Sequence, residues 1–244
     1  MTKRQSTVLI SGIVLTALYW VVALWYTNKQ AYSKDLVVFH ALFGNGASMD
    51  VWQYIYQFGV TVILFLVVPY CIFRYYLKED FLSLGLRFVP NREALIVCAV
   101  LYPVVIGSTY FSSQDPLIAG EYPLSKGIGA SWTIFLLYEL AYFFYFFSYE
   151  IFYRGFFSFG LKTAQGGKHE LITIIIVQTL LTTLFHIGKP TPEIAMAAAF
   201  GPVFGYVAFR YNSIWYGMVI HYVMNIFIDY FSLHWLDLAP KHLF

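Results

Sequence analysis

Charged residues are scarce in this chain: Asp, Glu, Lys and Arg make up only 11% of its 244 residues. Together with a hydrophobic share of 59%, this scarcity excludes an ordinary soluble domain. The formal net charge of +2 is too small and too scattered to form the basic patch that a nucleic-acid partner requires. The chain has only two cysteines, Cys71 and Cys98, and both lie in apolar segments. Neither a disulfide framework nor a cysteine-ligated metal site is therefore expected.

Long apolar runs, in contrast, occupy most of the sequence. Uncharged stretches beyond about 18 residues predict membrane-spanning helices, and the first run has no clear cleavage site, so it predicts a retained span. Spans are predicted at Gln5–Asn28, Val51–Phe73, Ala94–Ser113, Ser131–Leu161, Leu171–Ile187, Ile194–Phe209 and Tyr211–Phe231. The shorter segment Leu36–Met49 predicts an interfacial or re-entrant element and leaves an eighth span open. We therefore expect an all-α fold, a polytopic membrane helix bundle with about seven to eight transmembrane helices and a single domain over residues 1–244.

A carboxylate and a guanidinium stand four residues apart inside the fourth apolar run. On a helix, Glu150 and Arg154 share one face, in the order that favours pairing. Because hydrocarbon makes such charges costly, they are expected to face the bundle interior and to mark a functional site. A structural ion pair that joins two helices is the alternative interpretation.

Two histidines lie inside predicted spans at a similar depth. His186 ends the fifth span, and His221 lies in the seventh with Asn225 four residues later on the same face. At 1.5 Å per residue from the predicted cytoplasmic ends, these three residues and Glu150 lie about 17 to 24 Å deep. The shared depth predicts that Glu150, His186 and His221 converge, with Arg154 supporting Glu150.

These residue types suit hydrolysis of an acyl bond. A carboxylate and imidazoles can deprotonate water and protonate a leaving group, and Asn225 can donate to a developing oxyanion. Glu150, His186 and His221 are also residue types that ligate divalent metals, but no His-Glu-x-x-His motif is present, which makes that interpretation weaker. We expect no cofactor and no metal. The aromatic side chains that crowd the Glu150 helix are expected to face lipid or its interfaces, with a substrate-lining role as the weaker alternative.

The order of these residues resembles a known family. Glu150-x-x-x-Arg154-Gly155, then His186 at the end of a span, then His221-x-x-x-Asn225 are similar to the motifs of the CPBP (Abi) family of CAAX proteases and bacteriocin-processing enzymes. The resemblance covers roughly residues 132–230. It implies an intramembrane endopeptidase in which a Glu and a His activate water while the later His and Asn stabilise the oxyanion. The implied partners are the lipid bilayer and a peptide or lipid-anchored protein substrate.

Two positions differ from the family pattern. Tyr149 stands where the first motif usually has its first Glu, and Thr182 stands where the second motif usually has Phe. Glu150, the carboxylate that remains, is therefore the predicted base. The predicted catalytic residues are Glu150, His186, His221 and Asn225, and the supporting residues are Arg154 and Tyr149.

The substitution at Tyr149 keeps a second function open, a catalytically silent relative that serves as a membrane scaffold or binding protein. A third is a proton-coupled transporter of small solutes, in which the buried acids and histidines would relay protons. The absence of an inverted sequence repeat argues against transport.

Basic residues predict the orientation of the bundle. The positive-inside rule favours a cytoplasmic N-terminus in a plasma or inner membrane. That side would then collect Lys3, Arg4, Arg74, Lys78, Arg87, Arg92, Lys162, Lys168 and Arg210.

Single cysteines placed in loops 74–92 and 162–168 should therefore react with a membrane-impermeant thiol reagent only from the cytoplasmic side. The background is a variant with Cys71 and Cys98 replaced by Ser, and a cysteine in loop 115–126 serves as the control that labels from outside. Labelling of the first two loops from outside alone would invert the topology.

Overall fold

The structure, a computed structural model, describes residues 2–24, 49–163 and 166–242. These ranges are helical, without strands. The main helices are α1 (Lys3–Tyr19), α2 (Met49–Val62, continued to Tyr76 by two π-helical turns, one on either side of Val68–Cys71), α3 (Arg92–Ser112), α4 (Pro116–Glu121), α5 (Trp132–Glu150), α6 (Lys168–Phe185), α7 (Thr191–Tyr211) and α8 (Trp215–Trp235). The interfacial segment predicted at 36–49 lies outside the described residues except for Met49, as do the last residues of the first predicted span.

Six helical stretches of the described chain are long and apolar enough to cross a membrane. They are Lys3–Val22, Val51–Tyr76, Arg92–Ser112, Trp132–Phe159, Lys168–Phe185 and Thr191–Tyr211. They agree within a few residues with the first six predicted spans, and the all-α membrane bundle is confirmed. The predicted seventh span forms α8, which has 21 residues but is not among the six. Its polar side chains His221, Asn225 and Asp229 lower its hydropathy.

The fourth membrane helix is the best buried of the six and changes its winding halfway. Ser131 caps its start, accepting a hydrogen bond at 3.3 Å from the backbone N–H of Ile134. From Ile151 to Phe159 it continues from α5 as a π-helix, and all nine residues of this stretch are buried. π-Helical segments are rare and occur frequently at functional sites. The wider turn lies directly after Glu150 and contains Arg154.

An aromatic core surrounds this π-helical stretch. Phe65 stacks on Phe152 with ring centroids 4.2 Å apart. On another side, Gly155 admits the backbone of the loop after α2, since an added Cβ there would lie 3.2 Å from the Leu84 carbonyl oxygen. The same loop needs glycine at Gly85, where φ is +76°. Gly85 then accepts a hydrogen bond at 3.0 Å from the backbone N–H of Ile214, which ties the loop to the start of α8.

One end of the bundle is joined by the N-terminal residues. Arg4 donates hydrogen bonds to the carbonyl oxygens of Phe159 at 2.8 Å and Gly160 at 3.0 Å. Its other nitrogen pairs with Glu79 at 3.0 Å, just after the second span. The N-terminus, the loop after α2 and the end of the π-helix therefore lie at the same end of the molecule. This shared end is the arrangement that the distribution of basic residues predicts, whichever side of the membrane it faces.

Helices α6 and α7 pack closely through small residues. The four-residue spacing of Ala197, Gly201 and Gly205 predicts such an approach. An added Cβ at Gly201 would lie 2.8 Å from Thr179 Cγ2, and the Gly201 carbonyl accepts a hydrogen bond at 2.9 Å from Gln178 Nε2. The predicted close approach is therefore confirmed, and it brings the end of α6 beside the start of α7.

Replacing Gly201 by Ala should destabilise the bundle, because the new methyl group must push Thr179 aside. Overpacking of this kind costs about 1–3 kcal/mol, which corresponds to a fall in Tm of roughly 2–10 °C. Thermal unfolding in detergent measures it. Gly107→Ala is the matched control, since nothing lies within 4 Å of a Cβ added there. Equal Tm values for the two variants would contradict the close contact.

Candidate active site

Two side chains, those of Arg154 and His221, contact one oxygen of Glu150. Arg154 Nη1 donates a hydrogen bond to Glu150 Oε1 at 2.8 Å, and His221 Nδ1 contacts the same oxygen at 2.7 Å. Glu150 is only 1% exposed and Arg154 4%. Removing such charges from water costs several kcal/mol each unless they are paired with good geometry. The two cationic or donor partners supply that pairing, so the carboxylate can stay charged inside the bundle.

The Arg154 guanidinium is also held by aromatic rings. Its central carbon lies 5.6 Å from the ring centroids of both Tyr149 and Phe204, within the range of cation–π attraction. These contacts fix the plane of the guanidinium that orients Glu150. The Tyr149 ring thus contacts the Arg154 guanidinium, and its centroid lies 5.8 Å from that of His221.

The contact with Glu150 defines which ring nitrogen of His221 is available for chemistry. With Nδ1–H donated to the carboxylate, Nε2 is the nitrogen that can bind a ligand. His221 lines a cavity of about 600 Å³, and Asn225, one helical turn later, lines it too. The amide nitrogen of Asn225 is buried and has no hydrogen-bond partner among the described residues. This side of α8 thus presents an imidazole and an amide donor to the same space.

His186 reaches the same cavity from the end of α6. Its Nδ1 lies 2.7 Å from the Thr182 carbonyl oxygen, which can only accept, so Nδ1 carries the proton. Nε2 is consequently an acceptor in the neutral ring. It lies 3.8 Å from Glu193 Oε1 in the first turn of α7.

The cavity wall combines these polar groups with aromatic rings of α5. Arg154, Thr182, His186, His221 and Asn225 line it, whereas Glu150 lies behind His221 and is not part of the lining. The aromatic residues that line it from α5 are Tyr142, Tyr145, Phe146 and Tyr149. The expectation that the aromatic side chains of this helix face lipid was therefore wrong for these four, which occupy the position of the alternative interpretation, and also for Tyr138 and Tyr153, which are fully buried. Hydropathy alone cannot distinguish a ring that faces lipid from one that faces an interior cavity.

A second set of polar side chains surrounds Glu193. Tyr122 donates a hydrogen bond to Glu193 Oε1 at 2.6 Å, and Lys189 pairs with Glu121 next to it. Burial, and after it the negative charge of Glu193, raises the pKa of Tyr122 well above its usual value. The phenol therefore keeps its proton at neutral pH and acts as a hydrogen-bond donor to Glu193.

Sequence reasoning missed two acids near this site. Asp229 follows Asn225 by four residues, so the helical spacing could have placed it on the same face of α8. It is fully buried and interacts with Glu139 of α5, which is 3% exposed. Glu193 gave no comparable signal, because an acid in the first turn of a helix is usual at any helix start.

The described residues contain no group of three or more His, Cys, Asp or Glu side chains placed to hold a metal ion. His221 contacts Glu150, whereas His186 lies against Glu193. The ligand set considered from the sequence, Glu150 with both histidines, is thus not assembled in this geometry.

Comparison with known proteins places this site in a family context. Residues 130–227 match the family model described as type II CAAX prenyl endopeptidase Rce1-like. The matched segment runs from the start of α5 into α8 and contains all six predicted site residues. The resemblance to the CPBP and CAAX protease family inferred from the motifs is thereby confirmed. Searches of curated proteins and of solved structures gave no significant match.

The buried pair should show strong thermodynamic coupling. Arg154→Met removes one partner of a buried charge pair and should cost about 3–5 kcal/mol of stability. Adding Glu150→Gln removes the stranded charge and should recover part of that loss. Thermal unfolding of the two single variants and the double variant in detergent forms the cycle. Strictly additive effects would mean that the two side chains do not interact.

Proposed function

We propose that this chain, which carries a segment similar to the type II CAAX prenyl endopeptidases, is an intramembrane endopeptidase of the CPBP type. It hydrolyses a peptide bond in a peptide or membrane-anchored substrate. The observation that carries the proposal is the cavity lined by His186, His221 and Asn225. These groups combine an acceptor for a water proton with donors for an oxyanion, which are the two requirements of acyl hydrolysis.

His186 is assigned to the water. Its Nδ1 proton is donated to the Thr182 carbonyl, so Nε2 can accept a hydrogen bond from a water molecule in the cavity. A backbone carbonyl that accepts a hydrogen bond from Nδ1 of an imidazole fixes the tautomer of the ring and the orientation of its Nε2. The water oxygen then adds to the substrate carbonyl carbon, and the proton is delivered to the amine nitrogen as the C–N bond breaks. The products are a carboxylic acid and an amine, so one water is consumed per peptide bond.

His221 and Asn225 are assigned to the oxyanion. Glu150 holds Nδ1 of His221 at 2.7 Å, so Nε2 is the nitrogen that faces the substrate carbonyl oxygen, to which it donates when the ring carries both protons. The Asn225 amide adds a second donor that has no partner among the described residues. Donors held in place before the reaction stabilise the charge that develops on the carbonyl oxygen.

Glu150 itself acts through His221 in this mechanism. The prediction that Glu150 is the base stays a prediction, but its position behind His221 favours an orienting and charge-holding role.

The substrate class follows from the cavity. Ligand pockets usually enclose about 300–1,000 Å³, so a volume of about 600 Å³ suits a few residues of an extended peptide. Its rings from α5, together with Phe185 and Phe200, favour apolar side chains or a lipid group near the scissile bond. We propose that the protein acts in the plasma or inner membrane with its N-terminus in the cytoplasm.

The catalytically silent relative is the second candidate. It is favoured by one observation, the tyrosine at 149 in place of the family's usual first Glu. Such a protein would keep the cavity and bind peptides without cleaving them. Cleavage by the parent protein would exclude it.

Glu150→Gln should lower turnover at least 100-fold, because loss of a group that activates or charges a catalytic imidazole typically costs two to four orders of magnitude. Tyr149→Phe should stay within about threefold, since a phenol with pKa near 10 is a poor base at neutral pH. Both variants are assayed in detergent with a quenched fluorogenic peptide ending in a farnesylated CAAX sequence, and with the same peptide unprenylated.

Because Glu150→Gln leaves the Arg154 charge buried without its partner, its Tm should fall, and the loss of turnover is assigned to chemistry if it persists at a temperature at which the variant is folded and its membrane expression equals that of the parent. Parental turnover in Glu150→Gln would remove Glu150 from the mechanism and leave it as half of a structural ion pair with Arg154.

A further inference from the structure

Because Tyr149 has no carboxylate, another acidic side chain must bind the attacking water. Family members usually carry Glu at the first position of this motif, and this chain carries Tyr. Glu150 points its paired oxygen at Arg154 and His221 and does not line the cavity. A carboxylate that contacts the water beside His186 must therefore come from another element.

Two carboxylates line the cavity within the described part of the chain, Glu121 and Glu193. Glu121 is bound to the ammonium group of Lys189, which neutralises it. Glu193 receives a neutral donor instead, the Tyr122 hydroxyl, at Oε1. Its second oxygen, Oε2, is buried and has no hydrogen-bond partner among the described residues. Glu193 is thus the cavity carboxylate with an oxygen available for a ligand.

The distance between Glu193 and His186 suits a shared water. The nearer carboxylate oxygen, Glu193 Oε1, accepts from Tyr122 and keeps a second lone pair; it lies 3.8 Å from His186 Nε2, too far for a direct hydrogen bond. Two acceptors at this separation can each receive one hydrogen from the same water at about 2.8 Å. The carboxylate side chain is only 14% exposed, so a water held there would be shielded from bulk solvent.

Burial opposes the charged form that a base requires, and two features beside Glu193 offset part of this cost. Glu193 lies in the first turn of α7, where the positive end of the helix dipole stabilises a negative charge. The Tyr122 hydroxyl, which keeps its proton, adds a hydrogen bond to the carboxylate.

We propose that Glu193 is a catalytic residue that supplies the carboxylate missing at position 149. Glu193 and His186 together hold the attacking water, and Glu193 takes its proton as the water oxygen bonds to the substrate carbonyl carbon. The proton then passes to the amine as the C–N bond breaks, which returns Glu193 to its charged form. The inference rests on the proposed peptidase function and names the base for that reaction.

The decisive variant is Glu193→Gln, which removes the charge and nearly preserves the shape. Turnover of the farnesylated fluorogenic peptide should fall at least 100-fold, and the acidic limb of the pH profile that reports the carboxylate should disappear. Glu193→Asp should keep part of the activity and retain that limb. Glu93→Gln is the matched control, because Glu93 also lies in the first turn of a helix but forms an exposed ion pair with Arg210.

A second variant separates this inference from the proposed function. The Tyr149 ring lies beside both Arg154 and His221, so Tyr149→Glu places a carboxylate at the usual family position. If Glu193 substitutes for that carboxylate, Tyr149→Glu should restore cleavage in the Glu193→Gln background. Restoration also excludes a folding defect as the cause of the loss.

The remaining outcomes overturn the inference in distinguishable ways. Parental turnover in Glu193→Gln would overturn it and leave the peptidase proposal standing. An inactive parent that gains cleavage through Tyr149→Glu alone would show that Glu193 does not replace the missing carboxylate, although the site is hydrolytic. Absence of cleavage by the parent and by Tyr149→Glu, with either peptide, would overturn both proposals.

Discussion

The burial of one negative charge governs the rest of this site. The Glu150 carboxylate lies inside an apolar bundle, and a charge in that position persists only with partners of good geometry. Arg154 supplies one partner from the following π-helical turn and His221 supplies the other from α8. The same contact therefore joins two helices and selects the tautomer of a histidine. Stability and chemistry are difficult to separate here, because both depend on the same oxygen atom.

The π-helical stretch is a further part of this constraint. An α-helix places successive side chains about 100° apart, whereas the wider π turn shifts the residues that follow it around the axis. Ser158 bonds the carbonyl of Tyr153, five residues earlier, at 2.8 Å, as that winding allows. The altered winding also presents Gly155 to the loop at Leu84, which can approach because glycine has no side chain. A local change in backbone geometry thus positions Arg154 and at the same time joins α5 to the loop after α2.

The membrane helices could be predicted from the sequence because hydropathy depends only on local composition. The contact of Glu150 with Arg154 was also local, since four residues separate them. Two features depended on tertiary packing instead. The orientation of Tyr142 and Tyr145 towards a cavity could not be predicted, because the helix is apolar on every side. Glu193 could not be singled out, because its relation to His186 arises from the close packing of α6 on α7.

The contacts of Arg4 have a consequence for biosynthesis. Its bond to the Phe159 carbonyl joins residues 155 positions apart in sequence. At roughly 5–20 residues per second, the ribosome needs about 8–30 s to extend the chain from one partner to the other. During that interval α1 can already pack against the second membrane helix, because Tyr19 contacts Phe65 and accepts a hydrogen bond from Gln57. Its contacts with the fourth membrane helix, and with them the assembly of the bundle, can be completed only after that helix has entered.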